Sequence, residues 1–514
     1  MIEGSDVEEA MTTGGASRRV IAVAPMPPEK SAYALARYSR SPDSIEDSIR
    51  WVHSHSSEKF WEQFYFDYGH ASIADLGHVI ICFERISELA AIRLEDEPLW
   101  DGQAKSSRYQ NFASGQWFVP EAIRGTDTEG TYQGILRSLA TVYRTLHEPL
   151  TKYLAEREPR PESMTQGAYD RTIAARAFDV TRYLLPLAAC TNVGQVVSIR
   201  TLEKQIIRLL SSSLPELRAI GEELKGACQR APMNLWGELS GQAAGLSEPL
   251  APTLARHAKP NNYQAEVYTD LSRHAKEVLK GTGLEDQNIL RVTNRLEGRG
   301  TEEPVDLLEP HHPLDEVVTT LLYRVAQAPY RAILTVVRDW TEKQKQDTID
   351  VALRKRGPYD DLIKEFRSGY ALVFDVLMDI GGWRDLHRHR RCQQIQQNFT
   401  TVHGFDVPPA LAGAGVDRDY REAMELVKAD IERLRASNQE AALYAIPFGF
   451  KVRCLFKMDY AEAEYISRLR SGVKGHWSYR TIAWLMKQKL GERYPFLGDR
   501  MQATPLDVED TLTR

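Results

Sequence analysis

The order of sequence patterns along the chain occurs twice, and this internal repeat is the feature that most restricts its fold. In each copy an apolar segment leads into a polar, glutamine-bearing stretch, then into a long helical pattern, and later into a proline followed by a β-prone run and a helix. The paired segments are 78–96 with 370–387, 131–154 with 419–434, and the stretches that follow Pro186 and Pro447. The repeat indicates a tandem duplication.

The duplication predicts a helix-rich α/β fold built from two tandem domains. Segments 78–96 and 370–387 have apolar positions at helical spacing, so both are predicted as amphipathic helices. Interleaved strands and helices favour a mixed α/β (α+β) architecture over a helical bundle. The predicted boundaries are a disordered tail at 1–29, a first half at 30–235, a linker with one helix (267–281) at 236–311, a second half at 312–497 and a tail at 498–514.

Composition excludes several classes of protein. The net charge of −6 over 514 residues argues against a nucleic-acid partner, which usually requires a basic domain. The five cysteines include no CxxC pair, which fits a reducing compartment and predicts no disulfide framework. The acidic N-terminus has no apolar signal region and no run approaches the length of a membrane span, so a cytoplasmic protein without a membrane partner is expected.

The stretch from His387 to Arg391 places five arginines and histidines directly after an apolar run. Charge of this density at the end of a core-like segment predicts an anionic ligand. Two alternatives remain: cations that complement the dipole of a helix C-terminus, or a solvated charge run. No metal is expected, although His403 and the His311–His312 pair are further histidines, because no carboxylate or cysteine lies at a ligand spacing.

Arg388, His389 and Arg390 form a triplet that is followed, at the seven-residue spacing, by altered positions. The altered positions are Asn398, Thr400 and Thr401. The triplet resembles the signature of the flavin-dependent thymidylate synthases, the ThyX/Thy1 family. That signature is Arg-His-Arg, seven residues and Ser-x-Arg-Tyr, preceded by Gly-His-x-Ser-x-x-Glu. The second half therefore keeps the triplet and lacks the Ser-x-Arg-Tyr.

The first half shows the opposite pattern. It keeps the upstream motif and the Ser-x-Arg-Tyr, at Gly69, His70, Ser72, Asp75, Ser106, Arg108 and Tyr109. Where the triplet should stand, it has Asp96, Glu97 and Pro98. Asp75 is one carbon shorter than the glutamate of the family, which shortens its reach.

The downstream motifs are divided in the same way. The family has a proline, an arginine fourteen residues later, and a helix with a Leu-Arg pair and an Ala-Gln-x-Glu-Ile-Arg-like segment. The first half keeps Pro186 and Arg200 but has Leu209 in place of the second arginine. The second half has Ala461 in place of the first arginine and keeps Arg470, His476 and Arg480. Each half therefore keeps the residues that the other half has lost.

The resemblance implies an enzyme that transfers a methylene from 5,10-methylenetetrahydrofolate to C5 of dUMP, with a hydride from FAD that NADPH has reduced. In the family, as the resemblance implies, each site draws residues from several subunits of a homotetramer. Two halves that keep different pieces predict a composite site and a homo-oligomer, a dimer that imitates the tetramer. The partner is a small-molecule nucleotide.

The resemblance also implies the residue roles. Flavin contacts are implied for Arg388, His389, Arg390, Arg470, His476, Ser72 and Asp75, nucleotide contacts for Ser106, Ser107, Arg108, Tyr109, Arg200 and Arg480, and catalytic roles for Arg388 and Arg480. Planar guanidinium groups suit phosphate oxygens, which is a physical reason for arginine rather than lysine here. No cysteine nucleophile is implied, but the guanidiniums beside Cys392 are expected to lower its pKa.

Three alternatives stay open at this point. The motif at 69–75 also fits a glycine turn, an N-cap by Ser72 and an acidic first turn. Arg200 and Arg480 also fit salt-bridged structural arginines. The whole chain also fits a non-catalytic nucleotide- or flavin-binding paralogue, or a flavoenzyme that modifies a different pyrimidine nucleotide.

Overall fold

The computed structural model describes residues 23, 26–41, 44–67, 71–108, 112, 116–235, 250–282, 284, 304–308, 313–356, 363–366, 372–509 and 512. The chain forms two compact units. The first comprises Met1–Gly77 and Cys228–Thr253, and the second comprises His78–Ala227 and Leu254–Arg514. Nearly all of the predicted N-terminal tail lies outside the described residues.

The first unit is helical in the part that the structure describes. Its elements are α1 (Pro28–Tyr38), α2 (Ile45–His53), the short α3 (Glu58–Phe60), a π-helical segment (Trp61–Asp67) and a 3-10 helix (Ala71–Leu76). Helix α2 begins at Ser44, whose side chain accepts a hydrogen bond from the Asp47 amide. The buried Glu29 carboxylate accepts from the amide and hydroxyl of Thr253, which joins the two chain segments of this unit.

The described part of the second unit contains two antiparallel sheets that share one three-strand order. The first sheet has β1 (His78–Ser87), β2 (Asp101–Ala104) and β3 (Cys190–Ser198) in the order β1-β3-β2. The second has β4 (Val305–Leu308), β5 (Leu372–Asp379), β6 (Gln393–Gln396) and β7 (Lys451–Met458) in the order β4-β5-β7-β6. The order β5-β7-β6 repeats β1-β3-β2, so the tandem α/β fold predicted from the sequence is confirmed.

Helices surround both sheets. In the first half and the segment after it they are α4 (Glu88–Leu94), α5 (Asp127–Arg157), α6 (Gln166–Thr181), α7 (Ile199–Leu210), α8 (Pro215–Cys228), α9 (Pro252–His257) and α10 (Asn262–Val278). Before β5 come α11 (Pro313–Val325), α12 (Tyr330–Arg338) and α13 (Glu342–Leu353). After β5 come α14 (Ile380–His387), α15 (Pro409–Gly413), α16 (Asp417–Ser437), α17 (Gln439–Tyr444), α18 (Tyr460–Arg470), α19 (Trp477–Arg493) and α20 (Pro495–Arg500). Short 3-10 helices lie at Glu121–Ile123, Arg182–Leu184 and Lys364–Phe366.

The prediction of helices over 78–96 and 370–387 is wrong for the first part of each segment. Residues 78–84 alternate between exposed and buried positions, the period of a strand, and form β1. Strand β5 is mostly buried on both faces, so its apolar run carries no alternation. The helices α4 and α14 begin only at the caps Ser87 and Asp379.

Other predicted elements are confirmed. The two long helical patterns form α5 and α16, and the segments after Pro186 and Pro447 each form a strand and then a helix. The expected helix between the halves is α10. The segment predicted as a linker also supplies β4, which pairs with β5.

The two halves meet at an antiparallel bridge between Pro186 and Pro447. The Leu187 amide donates to the Ile446 carbonyl at 2.9 Å, and the matching bond of the other half runs from the Phe448 amide to the Leu185 carbonyl at 2.9 Å. A single hydrophobic cluster includes residues of α5, α16, β5 and β7. The two halves therefore share one core within the second unit.

Gly102 of β2 lies too close to its neighbours to tolerate a side chain. A Cβ built there would be 2.5 Å from the Gly194 carbonyl oxygen on β3 and 2.5 Å from the Trp100 ring. We expect Gly102→Ala to lower the free energy of unfolding by roughly 1–3 kcal/mol. The control is Gly130→Ala in α5, where a Cβ meets nothing within 4 Å and a gain of about 0.5–1 kcal/mol is expected. Equal midpoints of thermal unfolding in the two variants would contradict this prediction.

Candidate functional site

The Arg-His-Arg triplet follows α14 at the point where this helix ends. Arg388 is the C-terminal cap of α14 and is exposed, and among the described residues its guanidinium makes no hydrogen bond. His389 is 6% exposed and contacts α18 twice, because its Nδ1 lies 3.2 Å from a Glu462 oxygen and its Nε2 accepts from Arg470 Nε at 2.8 Å. Burial lowers the pKa of His389 although Glu462 opposes the shift. The ring is therefore neutral, with Nδ1 as the donor to Glu462.

The structure brings Arg108 of the first half into direct contact with the second half. Its Nε and Nη2 donate to the two Asp179 oxygens at 2.9 and 3.1 Å. Its Nη1 donates to the Tyr479 hydroxyl at 2.9 Å, and Nη2 also donates to the Lys474 carbonyl at 3.2 Å. The Ser-x-Arg loop that the second half lacks is thus held against the helix α19 that the second half supplies.

Asp179 is the acidic centre of this contact. It is 3% exposed, and besides Arg108 it lies 3.4 Å from Arg182 Nε and 3.2 Å from His476 Nδ1. Burial alone would raise the pKa of Asp179, but His476, Arg108 and Arg182 hold it well below its ordinary value. Burial also lowers the pKa of His476, so its neutral ring donates from Nδ1 to Asp179 and accepts at Nε2 from the Tyr183 hydroxyl, 2.9 Å away.

Asp385 joins this cluster to the Arg-His-Arg triplet. One of its oxygens is 3.2 Å from Arg182 Nη1. Burial would raise its pKa, but four arginines lower it, namely Arg182, Arg108, Arg388 and Arg470. The structure therefore places predicted substrate and cofactor residues of both halves around two ionised carboxylates. Of the four arginines, Arg388 is exposed and makes no hydrogen bond within the described residues, so its guanidinium suits an anionic ligand.

Arg182 supplies a buried donor that no group in the described part of the chain accepts. Its side chain is 2% exposed, and its Nη2 has no hydrogen-bond partner. A buried unpaired guanidinium N–H is costly, so an acceptor from a ligand is expected there. Sequence reasoning missed Arg182, Asp179, Asp385 and Tyr479. The available signal was the pair Asp179 and Arg182 at helical spacing in an apolar segment just before Pro186.

Residues Asp96 to Pro98, which replace the Arg-His-Arg triplet in the first half, lie near the triplet of the second half. Residues 96–98 line a cavity of about 100 Å³ together with His389 and Arg390 of the triplet, Lys364 and His387. Asp96 pairs with Lys364 at 3.0 Å, and Glu97 pairs with Arg208 at 2.7 Å. Burial lowers the pKa of Arg390, and Glu95 and Asp96 oppose this shift, so these two carboxylates of the first half answer part of the charge of the 387–391 stretch.

Arg390 faces this cavity rather than the cluster around Asp179. Its guanidinium lies 4.9 Å from the centroid of the Trp100 ring, and its Nη1 donates to the His387 carbonyl. Arg390 Nε and His387 Nε2 are buried without a hydrogen-bond partner among the described residues. Both atoms are candidates for contact with a ligand.

Arg480 is engaged by backbone carbonyls of the second half and of the C-terminal segment that follows it. Its guanidinium donates to the carbonyls of Ser471 at 2.9 Å, Val508 at 2.8 Å and Pro505 at 3.4 Å. The residue is 7% exposed. It holds the C-terminal segment, which agrees better with the alternative of a structural arginine than with an open nucleotide contact.

The remaining predicted residues lie at several places. Arg200 is half-buried in the first turn of α7. Ser106 accepts from the Arg108 amide at 3.3 Å, and Ser107 is buried. Ser72 is exposed and Asp75 is half-buried, and both lie on the 3-10 helix of the first unit. Gly69, His70, Tyr109 and the His311–His312 pair lie outside the described residues.

The prediction of a lowered pKa for Cys392 is wrong. Burial raises the pKa of its thiol to about 12, and Sγ donates to the His389 carbonyl at 3.1 Å. The described residues contain no group of three or more His, Cys, Asp or Glu side chains that could hold a metal ion. Within the same residues no helix is both long and apolar enough to cross a membrane.

Comparison with known proteins gives one family and several distant relatives. The family model of the thymidylate synthase complementing protein, Thy1, matches residues 20–232 and 369–496, more than half of the chain. UPF0159 proteins of Chlamydia pneumoniae and Chlamydia muridarum are each 25% identical to this chain, over 447 and 459 residues. These matches cover 82% and 85% of this chain, and 76% and 79% of the chlamydial proteins.

An archaeal protein and a solved structure are also similar. The UPF0159 protein of Thermoplasma acidophilum is 23% identical over 512 residues, which covers 90% of this chain and 93% of that protein. The crystal structure of thymidylate synthase X from Helicobacter pylori, with FAD and dUMP, has 13% identity and a TM-score of 0.24. That match covers 46% of this chain and 96% of the other.

Proposed function

This chain belongs to the Thy1 family of the thymidylate synthase complementing protein, and we propose that it is a flavin-dependent thymidylate synthase-like enzyme with one composite site per chain. The observation that carries the proposal is the contact of Arg108 with Asp179 and Tyr479. The Tyr479 ring also lies 5.7 Å from the guanidinium of Arg470, which donates to His389. Motifs that are split in the sequence converge in space. If each half had lost its motifs at random, the residues that remain would not be expected to lie together.

The flavin side of the proposed site is the Arg-His-Arg loop with α18. The exposed Arg388 and the partly exposed Arg470 suit the phosphate oxygens of FAD, because guanidiniums bind such oxygens in pairs. Burial keeps the His389 ring neutral and its hydrogen bonds with Glu462 and Arg470 fix its orientation, so it offers no positive charge of its own. The orphaned atoms Arg390 Nε and His387 Nε2 fit a polar ligand in the adjoining cavity.

The nucleotide side is the loop Ser106–Arg108 with Arg182. The unpaired Arg182 Nη2 fits an anionic oxygen. Contacts from the backbone of Ser106 and Ser107 are proposed from the family pattern. Roles for Tyr109, Arg200, Ser72 and Asp75 are proposed from the family pattern alone. His476 is proposed to shape the site through Asp179 and Tyr183 rather than to touch the flavin.

The proposed reaction is the transfer of a methylene from 5,10-methylenetetrahydrofolate to C5 of dUMP. When bound, FAD reduced by NADPH would supply the hydride that turns the methylene into a methyl group. The residues of this chain bind and orient the anionic substrates, and the positive cluster stabilises negative charge that develops on the uracil ring. We also propose a dimer that imitates the tetramer of the family.

A second candidate is a nucleotide- or flavin-binding paralogue without catalysis. It is favoured by Arg480, which the sequence predicts as catalytic but whose donors bind the carbonyls of Ser471 and Val508. The third possibility, a flavoenzyme for a different pyrimidine nucleotide, keeps the same flavin site.

The proposal predicts one FAD per chain and release of tritium from [5-³H]dUMP in the presence of methylenetetrahydrofolate and NADPH. Flavin content is measured from the absorbance of the purified protein after addition of FAD. Binding of FAD without release of tritium would support the non-catalytic paralogue or the flavoenzyme for a different pyrimidine nucleotide. Protein that binds no added FAD would overturn both enzyme candidates.

A further inference from the structure

We infer that Asp179 is a positioning residue of the composite site: its carboxylate, rather than the ligand, holds the Arg108 guanidinium and so leaves Arg182 available to an anion. The inference rests on the proposed function and deepens it, because it separates residues that touch the nucleotide from those that act through another residue. It changes the role that the family pattern implies for Arg108.

The donors of Arg108 are almost all engaged inside the chain. A guanidinium has five N–H groups. Two of those of Arg108 point to Asp179, one to the Tyr479 hydroxyl and one to the Lys474 carbonyl. Arg108 therefore cannot present a two-pronged contact to a phosphate without leaving Asp179, and a buried carboxylate that loses such a partner is costly.

Arg182 is divided between two carboxylates. Its Nη1 donates to Asp385 at 3.2 Å and its Nε lies at an ion-pair distance of 3.4 Å from Asp179, but neither Nε nor Nη2 makes a hydrogen bond within the described residues. As long as Arg108 satisfies both Asp179 oxygens, Arg182 can direct Nη2 elsewhere. If Arg108 is removed, Asp179 becomes the strongest nearby acceptor for Arg182 and also repels an incoming phosphate.

Asp179 also connects the halves through His476, the N-cap of α19. Its carboxylate fixes one nitrogen of the imidazole and the Tyr183 hydroxyl fixes the other. The same carboxylate thus orients the loop of Arg108 from the first half and the start of α19 from the second.

The test compares dUMP binding by calorimetry in the wild type, Arg108→Ala, Asp179→Asn and the double variant. We expect Arg108→Ala to weaken binding about tenfold or more, as the loss of one partner of a buried charge pair does. Adding Asp179→Asn should restore affinity to within about threefold of the wild type, because the unbalanced carboxylate is then gone. A double variant as weak as Arg108→Ala would show that Arg108 itself binds the nucleotide and would overturn the inference.

The matched control is Asp375→Asn. Asp375 is 2% exposed and accepts from Arg453 at 2.9 Å and from Tyr323 at 3.0 Å. Its loss should lower the thermal midpoint and leave the affinity for dUMP unchanged. If Asp179→Asn alone fails to fold, the wild type, Arg108→Ala and the double variant still decide, because the double variant leaves fewer unpaired charges.

A wild type that binds no dUMP would count against the proposed function, and the thermal midpoints would then test the inference. Asp179 and Arg108 should be coupled, so the double variant should be less destabilised than the sum of the single variants. Additive losses would overturn the claim that Asp179 holds Arg108.

Discussion

Replacement of Arg388 by alanine is expected to weaken the binding of FAD by about 100-fold. The guanidinium is exposed, sits at the end of α14 and makes no hydrogen bond to a described residue. Two hydrogen bonds from it to phosphate oxygens, each worth about 1.5 kcal/mol, amount to about 3 kcal/mol, or roughly two powers of ten in affinity. The change is read from the titration of apoprotein with FAD, followed by flavin fluorescence.

Arg391→Ala is the matched control for Arg388→Ala. Arg391 belongs to the same cationic stretch and is exposed, but it lies 3.9 Å from Asp459 at the surface, the distance of a weak ion pair. Its loss should change FAD affinity by less than about threefold, because an exposed charge is screened by solvent. If the two variants bind FAD equally well, the stretch acts as a general positive surface and Arg388 is no specific ligand.

The interlocking motif losses predict a composite site, and the sequence permits this prediction because the motifs are local. Arg388 to Arg390 and Ser106 to Arg108 each occupy one loop. The residues that sequence reasoning missed, Asp179, Arg182 and Asp385, take their roles from partners in the other half. An ion pair between Arg182 and Asp385 depends on how the halves pack, and no local pattern encodes that packing.

The strands β1 and β5 were likewise not predictable from the local sequence pattern. Helical spacing and a short buried strand are hard to distinguish in an apolar run, and both segments continue into a true helix. The caps Ser87 and Asp379 mark the change from strand to helix. Ser87 contacts Glu216, whereas Asp379 contacts Ser478, so the acid and the hydroxyl have exchanged places between the halves. Such an exchange leaves the packing intact while it hides the repeat in the sequence.

The last prediction concerns Glu88, a fully buried carboxyl of α4 that meets the second half at Arg384, 2.6 Å away. Burial raises its pKa from 4.5 to about 7, although Arg384 opposes the shift. The unfolded chain releases this proton near 4.5 and the folded chain keeps it until about 7. The stability contribution of Glu88 is therefore fully present below 4.5 and is lost as the pH rises to about 7, by about 3 kcal/mol in total.

We therefore expect Glu88→Gln, which cannot ionise, to gain stability relative to the wild type as the pH is raised from 5 to 8. The measurement is the difference between the thermal midpoints of the variant and the wild type at each pH. The interaction with Arg384 acts on the ionised carboxylate and is already part of the raised pKa of Glu88, so the trend with pH reports the ionisation of this carboxyl. Glu121→Gln is the control, since Glu121 is exposed beside Arg124 and its difference should stay flat. A flat difference for Glu88→Gln as well would mean that Glu88 is ionised in the folded state at every pH tested, and that its pair with Arg384 outweighs its burial.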